Sequence, residues 1–440
     1  MFATIVFLLP IVFVAQTNDS RIEPPSFNDA AIAQAVWRSA PAIADARRGL
    51  ALAQGDAAQA KLLPNPAVTA TWGTIPVGSR NPSGVNSPSF WDVPNYTMGL
   101  SQNVELGKRG PRQAAMNAFA RAQQQQMMDV YRHTFFDVLG AMVEQAAAAV
   151  STREFEQLVA DSAASLALQQ ARADKGDTAG LDVDRLSVEH ERLISARDEH
   201  LVVQEAALAN CAALLGGACP KFSSAEQAAT YLERGIDTAM VASSQWQKNR
   251  PDLKSLQAQV QGTQELATLA QRRRIPDPTV TLGYTKDRFL VSGNQGQSVS
   301  LTVSLPFPVF DRGQVAARTA TEQRRATEDT MAAVTRGSTV ELEHAVVQLE
   351  LARHRVDHLQ NKVLPRAQNV LERLQAAAAR GGVPLQEVLL ARRTLEDLRL
   401  ERVDVVAHVN HLWLNIRLLN SDTPPIESPK QSSFGSVGSP

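Results

Sequence analysis

Between residues 298 and 305 the chain alternates without a break. Val299, Leu301, Val303 and Leu305 fall on one side, and Ser298, Ser300, Thr302 and Ser304 on the other. The same period of two sets Val280, Leu282 and Tyr284 against Thr281, Gly283 and Thr285. It also sets Val68, Ala70 and Trp72 against Thr69, Thr71 and Gly73, and Tyr96, Met98 and Leu100 against Thr97, Gly99 and Ser101. Side chains of a strand point alternately to its two faces, so four strands are predicted, each with one apolar and one small, polar face. Two architectures satisfy this pattern: a half-buried soluble sheet, and a membrane barrel with an apolar exterior and a polar lumen. The strands alone leave both open. Pro76–Asn95 and Lys286–Gln297 are turn-rich and read as solvent-facing hairpin connections.

Between the strand pairs the period changes to that of helices. Helical stretches are predicted over about 27–61 and 246–273, with Ser26 and Asp29 as a capping box. Leu63-Pro64-Asn65-Pro66 stops the first, because proline removes a donor and restricts its predecessor. From Pro111 to about Ala173 there is no proline and one glycine, Gly140. Such a helix would be roughly 90 Å long at 1.5 Å per residue, longer than a globular domain accommodates. Further on, Leu342, Val346, Leu349, Val356, Val363, Ala367, Val370 and Leu374 form a heptad ladder interrupted by Arg353 and Gln360. The ladder points to coiled-coil packing of long helices. Pro365 is expected to break or kink that helix.

These patterns occur twice. Leu63–Pro66 recurs as Ile275-Pro276-Asp277-Pro278, 212 positions later, and Lys108-Arg109-Gly110 as Asp311-Arg312-Gly313, 203 positions later. Gly176 recurs as Gly381. The common order and near-constant spacing imply two copies of one unit. The expected organisation is a signal peptide at 1–15, a first repeat at 16–217, a connecting segment at 218–245, a second repeat at 246–420 and a disordered tail at 421–440. The signal reading rests on the apolar run Phe2–Ala15, too short for a membrane-spanning helix and lacking the usual basic residues before it. No cysteine lies near it to take a lipid anchor.

Composition narrows the function. The 44 Lys+Arg nearly balance the 45 Asp+Glu, which argues against nucleic-acid binding. Charged residues are 20%, and no apolar stretch approaches the ~20 residues of a spanning helix. No phosphate loop, zinc-protease helix or nucleophile elbow occurs, so an enzymatic reading has no support. His354 and His358, and His408 and His411, have helical spacing but no third ligand nearby, and no metal site is assigned. Cys211 and Cys219, across Gly216-Gly217, are candidates for a local disulfide in an exported protein or for two buried thiols.

The duplicated helix–strand–strand–helix units resemble the TolC family of outer-membrane efflux ducts. The matching residues are Leu63–Pro66, then Leu100-Ser101-Gln102 leading into Glu105-Leu106-Gly107-Lys108-Arg109. In the second copy they are Leu305-Pro306-Phe307-Pro308-Val309-Phe310-Asp311-Arg312, and the tip segment Gly381–Arg393 with Leu389-Leu390-Ala391-Arg392-Arg393. The resemblance spans about 27–420, and the Glu-Leu-Gly-Lys-Arg junction is most like the cobalt-zinc-cadmium branch. It implies a mainly α fold with a small β part: a long, coiled-coil-like α-helical barrel in the periplasm continuing a transmembrane β-barrel. Four strands per chain cannot close a barrel, since single chains start at about 8 strands, whereas a homotrimer brings twelve and leaves no edge.

The resemblance further implies a passive outer-membrane duct, without cofactor, that works with a periplasmic adaptor and an inner-membrane pump. Substrates are expected to be heavy-metal cations; drug efflux or protein secretion is the alternative within the fold, and a soluble exported helical scaffold the alternative outside it. Gly176, Gly180, Gly381 and Gly382 are expected to turn the helices at the periplasmic tips, since glycine tolerates positive φ. The implied adaptor contacts are Arg185, Leu186 and Ser187 in the first copy, and Leu390 and Arg392 in the second. Glu387, with Asp182 and Asp184, is the candidate acidic pore gate; three-fold symmetry would bring like carboxylates together and attract cations.

Overall fold

The computed structural model describes residues 25–73, 95–176, 180–237, 246–286, 296–378, 380 and 382–426. The expected signal peptide, most of both strand connections, Gly381 and the tail beyond 426 lie outside these residues.

The first half runs α1 (Asp29–Ser39), α2 (Pro41–Gln59), β1 (Ala67–Gly73), β2 (Asn95–Asn103), α3 (Arg109–Ala173) and α4 (Gly180–Leu215). After α5 (Ala225–Asp237) come α6 (Trp246–Asn249), α7 (Pro251–Arg272), β3 (Thr279–Lys286), β4 (Gln297–Ser304) and α8 (Gln314–His358). A π-helical turn (Leu359–Val363), α9 (Leu364–Ala378) and α10 (Leu385–Asn420) complete the chain. The 65 residues of α3 make it roughly 100 Å long.

Two local expectations are corrected. The first helical stretch is two helices: Ala40 is extended (φ −60°, ψ 128°) because it precedes Pro41, which opens α2. The cap of α1 is Asn28, whose Oδ1 accepts the Ala30 N–H at 3.0 Å, so the Ser26 box does not form. Pro365 interrupts the regular α-helix without ending it. The π turn ahead of it takes in one extra residue, Leu364 N–H bonds to Leu359 O, and the helix resumes. From the turn onward the ladder keeps Val363, Ala367 and Leu374 partly covered. Leu342, Leu349 and Val356 are buried above it, whereas Val370 below it is 52% exposed.

The main core lies where α1, α3, α4, α5, α8 and α10 meet. Ile32, Val36, Tyr131, Phe135, Leu139, Met142, Val409 and Ile416 are buried there. Asn410 fastens α5 to α10, accepting the Gly235 N–H at 3.2 Å and donating to Leu232 O at 2.6 Å. Cys211 and Cys219 are joined by a disulfide with a Cα–Cα distance of 5.7 Å. Its loop turns at Gly216, with φ +66° and Ser39 O only 2.5 Å from where a Cβ would stand, so only glycine fits.

The strands form one antiparallel sheet in the order β1-β2-β3-β4 among the described residues. Leu100 of β2 lies between Val68 of β1 and Leu282 of β3, and Leu282 in turn faces Leu301 of β4.

Candidate functional site: an uncovered apolar sheet and two helical tips

Registration of the strands turns four alternating patterns into two continuous surfaces. Val68, Leu100, Leu282 and Leu301 form one rung, and Ala70, Met98, Tyr284 and Val299 the next. Among the described residues no element covers them: Val68 is 77% exposed, Met98 64% and Leu301 71%. A soluble half-buried sheet would hide this face against helices. Toward the loop end Trp72 and Tyr96 stack with centroids 6.4 Å apart, amphipathic rings of the kind that border a bilayer. The opposite face carries Thr, Ser and Gly, with Gly99 opposite Gly283 and Thr97 Oγ1 3.1 Å from Thr285 Oγ1. Among the described residues no helix is long and apolar enough to cross a membrane.

The Glu-Leu-Gly-Lys-Arg motif turns out to be a structural clamp. Asp277 accepts the Leu106 N–H at 2.9 Å through Oδ1 and Lys108 Nζ at 2.7 Å through Oδ2. Its carboxyl pKa is lowered: burial pushes it up, but these two donors outweigh the burial. Arg112 holds both oxygens of Glu105. Arg109 donates to Lys61 O at 2.7 Å, and Arg272 to Gly107 O at 2.8 Å. The strands are thereby fixed to the helices that continue them.

At the other end of the helices, the starts of α4 and α10 face one groove of about 520 Å³. Leu181, Asp184, Arg185, Glu387, Leu390 and Arg393 line it. Of the candidate adaptor residues, Leu390 is 61% exposed and Arg185 is exposed, but Leu186 is only 5% exposed. Leu186 is therefore corrected from surface contact to packing residue, because it sits on the inward side of α4. Asp182 pairs with Arg185 at 3.5 Å and so does not stand free as a gate acid. Asp184 and Glu387 are exposed in the groove. Gly176 has φ +80°, as a reversal requires. Gly382 donates its N–H to Ala377 O at 3.0 Å.

Two turns above the tips lies a buried charge cluster that motif reading missed. Glu189 and Glu396 are each 4% exposed. Arg192 bridges them, at 2.7 Å from Glu189 and 3.2 Å from Glu396. Arg393 also binds Glu189, with Nε at 3.1 Å from Oε2. Arg392, half-buried, lies 3.6 Å from Asp161 and 3.8 Å from Glu396. Burial would raise the Glu189 pKa, but the hydrogen bonds and charges of Arg192 and Arg393 bring it below the ordinary value. For Glu396 burial wins over Arg192 and Arg392, and its pKa is raised. The signal was present in the sequence: Glu189-x-x-Arg192 reappears in reverse as Arg393-x-x-Glu396.

The histidine pairs form no centre. His354 and His358 are exposed, and His411 is bonded to Glu144 at 2.6 Å. Among the described residues no group of three or more His, Cys, Asp or Glu side chains could hold a metal ion.

Residues 242–419 match the family described as outer membrane efflux protein. Over 418 residues the chain is 25% identical to the cobalt-zinc-cadmium resistance protein CzcC of Cupriavidus metallidurans, covering 91% of this chain and 94% of that one. The fold is that of the CusC crystal structure, at TM-score 0.73 and 15% identity, covering 88% of this chain and 91% of that one. It is similarly close to the outer membrane protein VceC of Vibrio cholerae, at TM-score 0.68 and 17% identity, covering 88% and 95%. The open-state outer membrane channel MtrE of Neisseria gonorrhoeae has the same fold, at TM-score 0.69 and 13% identity, covering 88% of each chain.

Proposed function

We propose that this chain is an outer-membrane efflux protein of the TolC type and serves as the duct of a tripartite system that exports heavy-metal cations. The sheet lies in the outer membrane, and the long helices extend into the periplasm. The observation that carries the duct reading is the uncovered apolar face of the sheet, backed by a Thr, Ser and Gly face. That is the arrangement of a barrel wall between lipid and water.

The sheet has two open edges, β1 and β4. Open edges are not tolerated in lipid, because unpaired backbone groups there cost several kcal/mol each. Three copies arranged edge to edge remove them all. The two repeats of each chain would then stand as six similar walls around one axis.

Transport in this reading is passive. An inner-membrane pump supplies the work, a periplasmic adaptor docks on the helical tips, and the duct provides a water-filled path. Glu387 and Asp184, from the two tips, contribute carboxylates to the periplasmic mouth, where they favour cations. Cations are preferred as substrate because the curated relative that spans nearly the whole chain is a cobalt-zinc-cadmium resistance protein.

Deleting the gene tests this. The deletion strain should become sensitive to divalent metal salts, and the plasmid-borne protein should restore tolerance. In outer-membrane fractions the protein should migrate as a trimer that heating converts to monomer. Unchanged metal tolerance with altered drug tolerance would replace the substrate while keeping the duct.

A further inference from the structure

We propose that Asn65 of one copy caps the Val309–Asp311 turn of the next, where β4 of one copy meets β1 of its neighbour. The inference rests on the trimer reading. The strand registers follow the internal repeat residue by residue.

Position 68 corresponds to 280 and position 100 to 303, by the offsets of the two junction motifs. Applied to the β1–β2 pairs Val68–Leu100, Ala70–Met98 and Trp72–Tyr96, these offsets give Val280–Val303, Leu282–Leu301 and Tyr284–Val299. Those are the observed β3–β4 pairs. The same offsets can be applied to the β2–β3 pairing inside the chain, where Met98 faces Tyr284 and Leu100 faces Leu282. They then pair β4 with β1 of a second copy: Leu301 with the neighbouring copy's Trp72, and Val303 with its Ala70. Thr302 meets its Thr71, and Ser304 its Thr69. Apolar positions meet apolar ones, and hydroxyl positions meet hydroxyl ones, along the whole seam.

The clamp repeats with its polarity reversed. Inside the chain Asp277 accepts from the Leu106 N–H and from Lys108. At the seam between copies the corresponding residues are Asn65, Val309 and Asp311. Asp311 is an acceptor where Lys108 is a donor. Asn65 is an amide where Asp277 is a carboxylate, so it can accept the Val309 N–H through Oδ1 and donate to Asp311 through Nδ2. The three substitutions are mutually consistent, which chance pairing at an unrelated surface would not require. Asn65 is exposed. Asp311 uses Oδ1 for the Gly313 N–H at 2.8 Å, which leaves Oδ2 for the amide. In the single chain the Val309 N–H closes on Phe307 O at 2.9 Å, a local bond that docking would exchange for the one to Asn65.

Apolar surface collects at both sides of this seam. Phe307 is 85% exposed and Phe310 92%, beside the β4 edge. Leu62 and Leu63 are 57% and 62% exposed, beside Asn65. Large side chains left this bare on a folded chain mark a surface that another chain covers.

Cysteine pairs test the register. Purified protein carrying A70C and V303C should form disulfide-linked dimers and trimers on non-reducing gels. Pairs shifted by two residues, A70C with L301C and A70C with L305C, should not. Native mass measurement of every variant reports the trimer independently. Cross-linking by a shifted pair instead, in a normal trimer, would overturn the proposed register but leave the trimer intact. A monomer by native mass, with no cross-link in any pair, would overturn both. The clamp is tested by charge. N65D places a carboxylate against Asp311 and should lower the temperature at which the trimer dissociates; N65D with D311K recreates the internal Asp–Lys pair and should restore it. An unchanged dissociation temperature in N65D would overturn the clamp.

Discussion

Arg393 of α10 donates through Nε to Glu189 of α4 at 3.1 Å, joining two residues 204 positions apart. The pair ties the helix that leaves one tip to the helix that leaves the other. Glu189 is buried, while the Arg192 and Arg393 side chains are 45% and 51% exposed. Removing the carboxylate therefore leaves cations that water can still reach. The expected cost of Glu189→Gln is about 1–2 kcal/mol, discounted from the full buried-pair figure for that screening. Hydrogen exchange should show faster opening of the lower turns of α4 and α10, with the main core unchanged.

The two buried carboxylates respond oppositely to pH. The lowered pKa of Glu189 contributes stability that is present above the ordinary Glu value and lost as pH falls through its folded value. The raised pKa of Glu396 works in the other sense: its contribution is present below the ordinary value and lost as pH rises through its folded value. On acidification Glu396 therefore takes up its proton before Glu189 does. Glu396→Gln mimics the protonated form. It should equal or exceed the parent in thermal stability at neutral pH, and should remove the rise in stability seen as pH falls through the Glu396 transition. A variant less stable than the parent at neutral pH would show that the charged form is the one the fold favours.

Leu186 and Leu390 separate packing from docking. Leu186→Asp puts a carboxylate into a site that is 5% exposed and should lower the yield of folded protein. Leu390→Asp alters a side chain 61% exposed in the tip groove. It should leave folding intact and abolish metal tolerance in cells. Normal tolerance with Leu390→Asp would remove that residue from the adaptor surface.

Glu387 is exposed in the first turn of α10 and faces the same groove as Asp184. Glu387→Ala should lower the cation-to-anion permeability ratio, read from the reversal potential in a salt gradient. An unchanged reversal potential would place the selective constriction elsewhere.

The sheet was readable from sequence because a period of two cannot be mistaken once it holds for eight residues, as from Ser298 to Leu305. The sequence could not decide whether the apolar face was covered. That depends on where the helices go, and only the exposure of Val68, Met98 and Leu301 settles it. The long helices were readable in extent and, along the heptad ladder, largely in phase. The π turn at Leu359–Val363 leaves no signature in the heptad pattern, and of the ladder residues beyond it Val370 alone is exposed. Leu186 was misassigned because which side of α4 faces inward is set by its neighbours, not by its own spacing. The Glu189 and Glu396 cluster was legible only by comparing the two repeats position by position.

Single-channel recording tests the account most directly. Purified wild-type protein should insert into a planar bilayer and give stepwise, cation-preferring conductance with the unit size of one pore per trimer. Protein that is folded, trimeric and membrane-inserted, yet gives no conductance steps even when the tip network is loosened by Glu189→Gln, would contradict a duct.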